Sequence, residues 1–458
     1  MTFNSRFPCE SPMTRFLRPL SSILVATLLA FPCSAATPTP PGRFSKLTLS
    51  RQFDLREDWL ARKHALLLPM MRKHGISMWI VVNEEFHDDP VTPFIAPPGP
   101  QAGGRDLFIF VDTGEAGLRK VALTSYSEEP NARFFETVEN PKPLKEALAA
   151  LVAETQPRTI GLAIDGHRGV TRGLTRSSYQ FLAESLGPET EKRFVPAEPL
   201  IEEYLDTRLP EENASYLQMV KLTESLVKRA LSTEVITSGR TTAGEVRRFL
   251  YDRLDAAGVT TWFRPDVRVQ RKSVKPDLSR GFLAVAKDAV VIQRGDVLHI
   301  DFGITYLGLN TDWQKMAYVL RKGESRAPAG LRAALARTNA VQDAVMQESH
   351  PGRSSADVYD AAMARLKAAG IEAQIYSHPL GNQGHGLGAS IDGRAASRKE
   401  SPKPLRKGSW LALELNSRSP IPEWDNQLVY MMEEDPVWLS DGGWVPFVPR
   451  QTELYLIK

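Results

Sequence analysis

Cysteine is almost absent from this 458-residue chain, and both copies, Cys9 and Cys33, fall within its first 36 residues. If that stretch is removed on export, the remainder has no disulfide, no thiolate metal site and no cysteine nucleophile. Net charge is scarce too: 57 Lys and Arg stand against 54 Asp and Glu, a formal +3. No basic stripe argues for nucleic acid, so no such partner is expected. Only one sizeable apolar run occurs, at residues 23–31. It is shorter than the roughly 20 residues a spanning helix needs, and no second run follows, so no membrane span is expected in the mature chain. Internal repeats and low-complexity tracts are also missing. No strand–loop–helix frame with a downstream acid surrounds the glycines of GHGLG, which argues against a phosphate-cradling loop.

What is present is the composition of a soluble globular protein, 42% apolar and 24% charged, with length enough for two domains. Arg15 and Arg18 precede the apolar run, and Ser34-Ala35-Ala36 follow it. A basic region, a short apolar core and small residues at the end spell a secretory signal over 1–36, hence a secreted or periplasmic protein. A lipoprotein reading of Cys33 is disfavoured by Phe31-Pro32 before it. A Pro/Thr-rich spacer leads into residues 37–206, where a helix is expected over 54–74, with Leu66, Leu67, Met70 and Met71 as core. Strands are expected near 77–82, 106–112, 120–126 and 159–165, and helices near 143–154 and 175–186. This alternation is that of an α/β domain. The long 84–104 loop reads either as a cover over a partner surface or as a disordered excursion. From about 207 to 458 the pattern changes to two helices, strands, two more helices and then mostly strand. Thr242 and Glu245 spell a capping box, and Asp441-Gly442 a hairpin turn.

The chemistry concentrates in GDVLHIDFGITYLGLNTD, residues 295–312. Leu298, Ile300 and Phe302 alternate with His299 and Asp301, so the aspartate shares a strand face with the histidine. A turn near 306–308 brings Asp312 back beside Asp301. Two such carboxylates repel unless a cation lies between them. Further donors follow in GHGLG (His385), LALEL (Glu414) and MEED, where strand alternation lets either Glu433 or Glu434 face inward. Each has an ordinary reading: Asp301 as an edge residue, Asp312 as an Asx turn, Glu414 as half of a salt bridge. Together, Asp301, Asp312, His385, Glu414 and Glu434 form a donor set for hard or borderline divalent ions. Four carboxylates and a neutral imidazole balance two such ions, which in pairs roughly 3.5–4 Å apart can activate water. His378 and His299 could also reach the site, His378 as a proton donor and His299 as a strand histidine with a structural hydrogen bond.

These five residues, in this order and spacing, resemble the pita-bread metallopeptidases, the family of methionine aminopeptidase, aminopeptidase P and prolidase, with creatinase as a relative. Motif agreement is confined to about 295–435. The resemblance implies an α+β fold class. A curved antiparallel sheet covered by helices forms the catalytic domain, 207–458, after a smaller α/β creatinase-like domain, 37–206. It implies Asp301, Asp312, His385, Glu414 and Glu434 as metal ligands and Glu414 as the proton-handling group, with His378 a candidate replacement for a family proton donor missing from this chain. The cofactor would be two divalent ions, manganese first, with cobalt, zinc or iron as alternatives. Hydrolysis of the N-terminal bond of peptides, Xaa-Pro by default, and a homodimer are further implications. Departures exist: Glu414 is followed by Leu415-Asn416 rather than Pro-Gly, and Asp392 replaces a histidine seven residues after His385. Met432 and Lys315 stand where arginines are usual, and no histidine occurs at 282–285. They keep two alternatives open: a non-peptidase hydrolase or lyase acting on a small C–N or C–S substrate, and a degenerate metal-binding non-enzyme.

Overall fold

The computed structural model describes residues 44–458 except 100–101, 127, 140, 142, 280–281 and 394–402. The expected signal segment and both cysteines lie outside the described residues. Residues Phe44–Lys458 form one compact unit built around two sheets.

The first sheet has six strands, in the order Glu136–Glu139, Leu118–Thr124, Arg105–Asp112, Met78–Glu84, Ile160–Leu162, Phe194–Pro196. It is mixed: the three central antiparallel strands are flanked by parallel neighbours. Both faces are covered, so its central strands read as continuous apolar runs rather than alternating ones. Along Met78–Glu84, Trp79 and Val81 pack under the helices Leu49–Lys73 and Glu198–Asp206 with Leu67, Met71, Leu200 and Tyr204. Met78, Ile80 and Val82 pack on the other face with Leu148, Leu151 and Leu182 of the helices Leu144–Thr155 and Arg176–Leu186.

Several boundaries differ from expectation for local reasons. The first helix begins at Leu49, and Leu66 is exposed while Leu67, Met70 and Met71 are buried. The third strand of the chain stops at Thr124 because Ser125 turns its N–H and hydroxyl to Asp106 Oδ1, at 2.8 and 2.7 Å. The 160–162 strand is short because Asp165 lies at φ +56°, outside the extended region. The described part of the 84–104 stretch is folded rather than a disordered excursion. It carries the helical turn Thr92–Ile95 and buries Val91, Ile95 and Ala96.

The second sheet is a curled, largely antiparallel half-barrel. Its strands run in the order Ile391–Asp392, Glu372–Leu380, Trp410–Ile421, Gln427–Ser440, Gln314–Val319, Val297–Asp301, Asp266–Gln270. Two short strands complete it, Gly443–Pro446 hairpinned on Gln427–Ser440 through Asp441-Gly442, and Tyr455–Ile457 parallel to Gln314–Val319. The helices Glu212–Ala230 and Ala243–Ala257 cover the convex face over Leu298, Ile300 and Phe302. Helices Ala329–Glu348 and Ser355–Ala368 cover it over Leu411, Leu413 and Leu415. Thr242 caps its helix through the reciprocal bonds with Glu245. Alternation therefore sends His299, Asp301, Gln314, Glu414 and Glu434 to the concave face.

Candidate metal centre

The pairing of Asp301 with Asp312 depends on a tight reversal. After the Val297–Asp301 strand, a small hairpin pairs Thr305–Tyr306 with Leu309–Asn310 across Leu307 and Gly308. Both turn residues have positive φ, +56° and +73°, as the hairpin turn that matches strand twist demands. The returning chain passes so near Gly303 that a Cβ there would overlap the Thr311 carbonyl and the Trp262 indole. Asp312 thus arrives beside Asp301, and the next strand zips against Val297–Asp301 with Gln314 opposite Asp301.

His385 reaches the site on the glycine-rich 381–388 loop. Gly384 passes so near Trp262 that a Cβ there would overlap the indole ring, and a Cβ on Gly386 would stand 2.5 Å from the Pro379 carbonyl oxygen. His385 then packs edge-on to Trp262 and to His378, with centroids 5.2 and 4.7 Å away. Glu414 and Glu434 stand opposite each other on the two longest strands, and Glu433, one residue out of phase, points through the sheet to the other side. So does Lys315. Its ammonium meets Asp435 Oδ1 at 2.6 Å and the Glu434 carbonyl at 3.0 Å, over the Trp313 ring. The lysine at the arginine position therefore braces two strands from behind and does not line the site.

Three overlapping groups of side chains have ligand atoms within 4.8 Å of one another: Asp312, His378 and His385; His378, Glu414 and Glu434; Asp301, Asp312 and Glu434. All five expected ligands and His378 are in this set. Nε2 of His378 sits 3.6 Å from oxygens of Asp312, Glu414 and Glu434, too far for hydrogen bonds. His378 Nδ1 is 3.2 Å from the Pro379 carbonyl, which can only accept, so the hydrogen belongs on Nδ1. That places Nε2 as one more donor atom facing the carboxylates. Asp392 pairs with Tyr376 at the sheet edge and is in none of the three groups.

The electrostatics call for cations. Burial pushes Asp301 up to about 7 even against the pull of Arg268. Burial, then the neighbouring Asp301 and Glu414, drives Asp312 well above the usual carboxylate range. Glu434 is driven up likewise, by burial and then by Asp312, Glu414 and Asp301. Asp301 Oδ1 and both carboxylate oxygens of Glu434 are buried with no hydrogen-bond donor. Buried anions without donors cost several kcal/mol each, and divalent ions held by these residues would remove that cost. The residues fit such ions in type and spacing, with Asp312, His378 and Glu434 buried and His385 exposed.

Residue type gave no warning of Gln314, Arg268 and Asp266, which also face this cluster. Gln314 donates to Glu414, and Arg268 sits by His299, Asp266 and the Met432 sulfur, 4.0 Å from the last. Burial and the charge of Arg268 hold His299 far below its ordinary value, so the imidazole is neutral. The alternation of Asp266 and Arg268 in a short strand, and the place of Gln314 two residues after Asp312, were the available signals.

A family model for metallopeptidase family M24, whose members use divalent metals, matches residues 215–441. No curated protein sequence matches the chain. Among solved structures, an X-Pro aminopeptidase from Thermotoga maritima is similar at 16% identity and a TM-score of 0.62, over 86% of this chain and 99% of its own. An Xaa-Pro dipeptidase from Bacillus anthracis is similar at 15% identity and 0.60, over 88% and 100%. The N-terminal domain of the FACT complex subunit SPT16 from Cicer arietinum is similar at 13% and 0.58, over 89% and 99%. At such identities these likenesses establish the fold, which peptidases share with a subunit of a complex. The half-barrel, its acidic concave face and the matched segment agree: residues 215–441 match metallopeptidase family M24, and the chain has the pita-bread fold of that family.

Proposed function

We propose that the protein is a secreted or periplasmic metal-dependent aminopeptidase or dipeptidase that hydrolyses the N-terminal bond of peptides, with Xaa-Pro substrates the first to test. The observation that carries this reading is the overlap of six ligand side chains around donorless buried carboxylate oxygens. Asp301, Asp312, His385, Glu414 and Glu434 are the proposed ligands of two divalent ions, manganese first. Bound there, the ions would supply Lewis-acid activation of water and of the scissile carbonyl. Glu414 Oε2, facing His378 Nε2, takes a proton and returns it to the leaving amine. His378 holds its ring fixed through Nδ1 and can share that proton at Nε2. Trp262 packs edge-on to His385 and holds this exposed ligand at the solvent side of the cluster. The α/β part, residues 37–206, is the proposed creatinase-like domain, and a homodimer is the proposed assembly.

A second reading, a non-peptidase on the same fold, is favoured by Asp392 and Met432, which replace a histidine and an arginine. Elemental analysis beside an Xaa-Pro cleavage assay separates the two. The expected outcome is close to two ions per chain with peptide cleavage, and loss of cleavage in soluble Asp301→Asn and Glu414→Gln. Full activity in either variant rules the peptidase scheme out. Metal without cleavage of any peptide in a panel favours the second reading.

A further inference from the structure

One cross-strand row of side chains crosses the concave face. Glu414 pairs with Glu434, Glu434 with Gln314, Gln314 with Asp301, and Asp301 with Asp266. Residues directly opposite in an antiparallel ladder share a face. All are carboxylates but Gln314, which is 1% exposed. An amide has one donor end and one acceptor end, and here both are engaged. Gln314 Nε2 donates to Glu414 Oε1. Gln314 Oε1 lies 3.0 Å from Nε2 of His299, which must carry the hydrogen because an amide oxygen only accepts. Nδ1 of His299 is then an acceptor, 3.4 Å from Nη1 of Arg268, a group that only donates. Arg268 is itself fixed by Asp266 Oδ2 at 2.8 Å. Donors and acceptors alternate without conflict from Arg268 to Glu414, so the relay has a single direction.

We propose that Gln314 and His299 are positioning residues for Glu414: they fix which of its oxygens faces the cluster and so set the affinity for divalent cation. With Oε1 taken by the amide, Glu414 presents Oε2 toward His378 and Glu434. Without the amide, Oε1 loses the bond that holds it away from the like-charged neighbours. The inference rests on the cluster being a metal site. It assigns a function to a glutamine that no ligand motif includes, and it explains why a neutral side chain occupies the middle of an acidic row.

The test titrates metal-free protein with Mn2+ by calorimetry and follows its thermal unfolding in parallel. Gln314→Leu removes both bonds at similar volume, and Gln314→Glu keeps the shape but removes the donor. Both should bind Mn2+ about 10–100-fold more weakly, the usual cost of losing a group that orients a ligand. The metal-free melting temperature should barely change in Gln314→Leu. His299→Leu should weaken binding similarly, and His299→Gln, whose amide reaches about as far as the imidazole Nε2, should recover most of it. Unchanged Mn2+ affinity in Gln314→Leu beside a binding wild type overturns this proposal alone. So does a loss of affinity matched by an equal loss of metal-free stability, which is the mark of a merely structural role. A wild-type chain that takes up no Mn2+ overturns the metal reading itself.

Discussion

Asp312 is surrounded by Asp301, Glu414 and Glu434, and its carboxyl is raised by burial first and by those neighbours next. In metal-free protein this crowding opposes folding, and divalent cations held there would reverse it. Asp312→Asn should therefore stabilise the metal-free chain by roughly 1–2 kcal/mol while abolishing tight metal uptake; melting curves with and without Mn2+ would show the crossing. His64, far from this cluster, makes a second residue-level case. It is buried against Phe110, Phe134 and Phe135, with Nε2 donating to the Ile95 carbonyl at 2.9 Å. Burial, with Lys120 adding to it, lowers its value to about 3. The unfolded chain takes up a proton below the ordinary value near 6.5, and the folded chain does not until about 3. Stability therefore falls as pH drops through that window. His64→Gln, which keeps an N–H for Ile95 but cannot titrate, should gain about 2 kcal/mol relative to wild type between about pH 7 and pH 5 in chemical denaturation.

Among the elements, strands supply faces and glycine turns supply approach. The Val297–Asp301 strand sorts its side chains by parity alone, and its partner Gln314–Val319 does the same. The loops are different, because their geometry depends on atoms that are not there. Gly386 donates its N–H to Pro379 O at 2.8 Å, and its missing Cβ is what lets the backbone lie that close. Gly386→Ala should shift His385 out of place and weaken Mn2+ binding about tenfold. Its stability loss should be about 1–3 kcal/mol, the usual cost of overpacking. Calorimetry and melting read both effects, and unchanged binding would show that the loop tolerates the methyl group.

For the whole molecule, the first sheet's last helix meets the loop that carries His385. Asp206, at the end of Glu198–Asp206, accepts from Arg406 at 2.7 Å and from Ser409 at 3.0 Å, and Gly388 passes against its carboxyl group. Burial raises its carboxyl, with Arg406 opposing. Arg208 adds a bond to Asn382 at 2.5 Å in the same loop. Arg406→Leu would strand a buried carboxylate, and a loss of about 2–3 kcal/mol is expected, somewhat below the full cost of breaking a buried pair because Arg406 is partly exposed. Equilibrium denaturation measures it. Among the described residues, no helix is long and apolar enough to cross a membrane.

The sequence by itself determined which side chains share a face, because strand parity follows from local geometry. It put His299 with Asp301 and made Glu433 and Glu434 mutually exclusive. It also marked the capped helix at Thr242 and the turn at Asp441-Gly442, which are short-range chemistry. Only the tertiary structure decided between Glu433 and Glu434, since strand register, set by long-range pairing, selects the parity that faces inward. It likewise decided that Lys315 braces Asp435 from behind, that His378 stands among three carboxylates, and that Gln314 sits in the acidic row. Those placements are contacts between residues distant in the chain, and no local pattern encodes them.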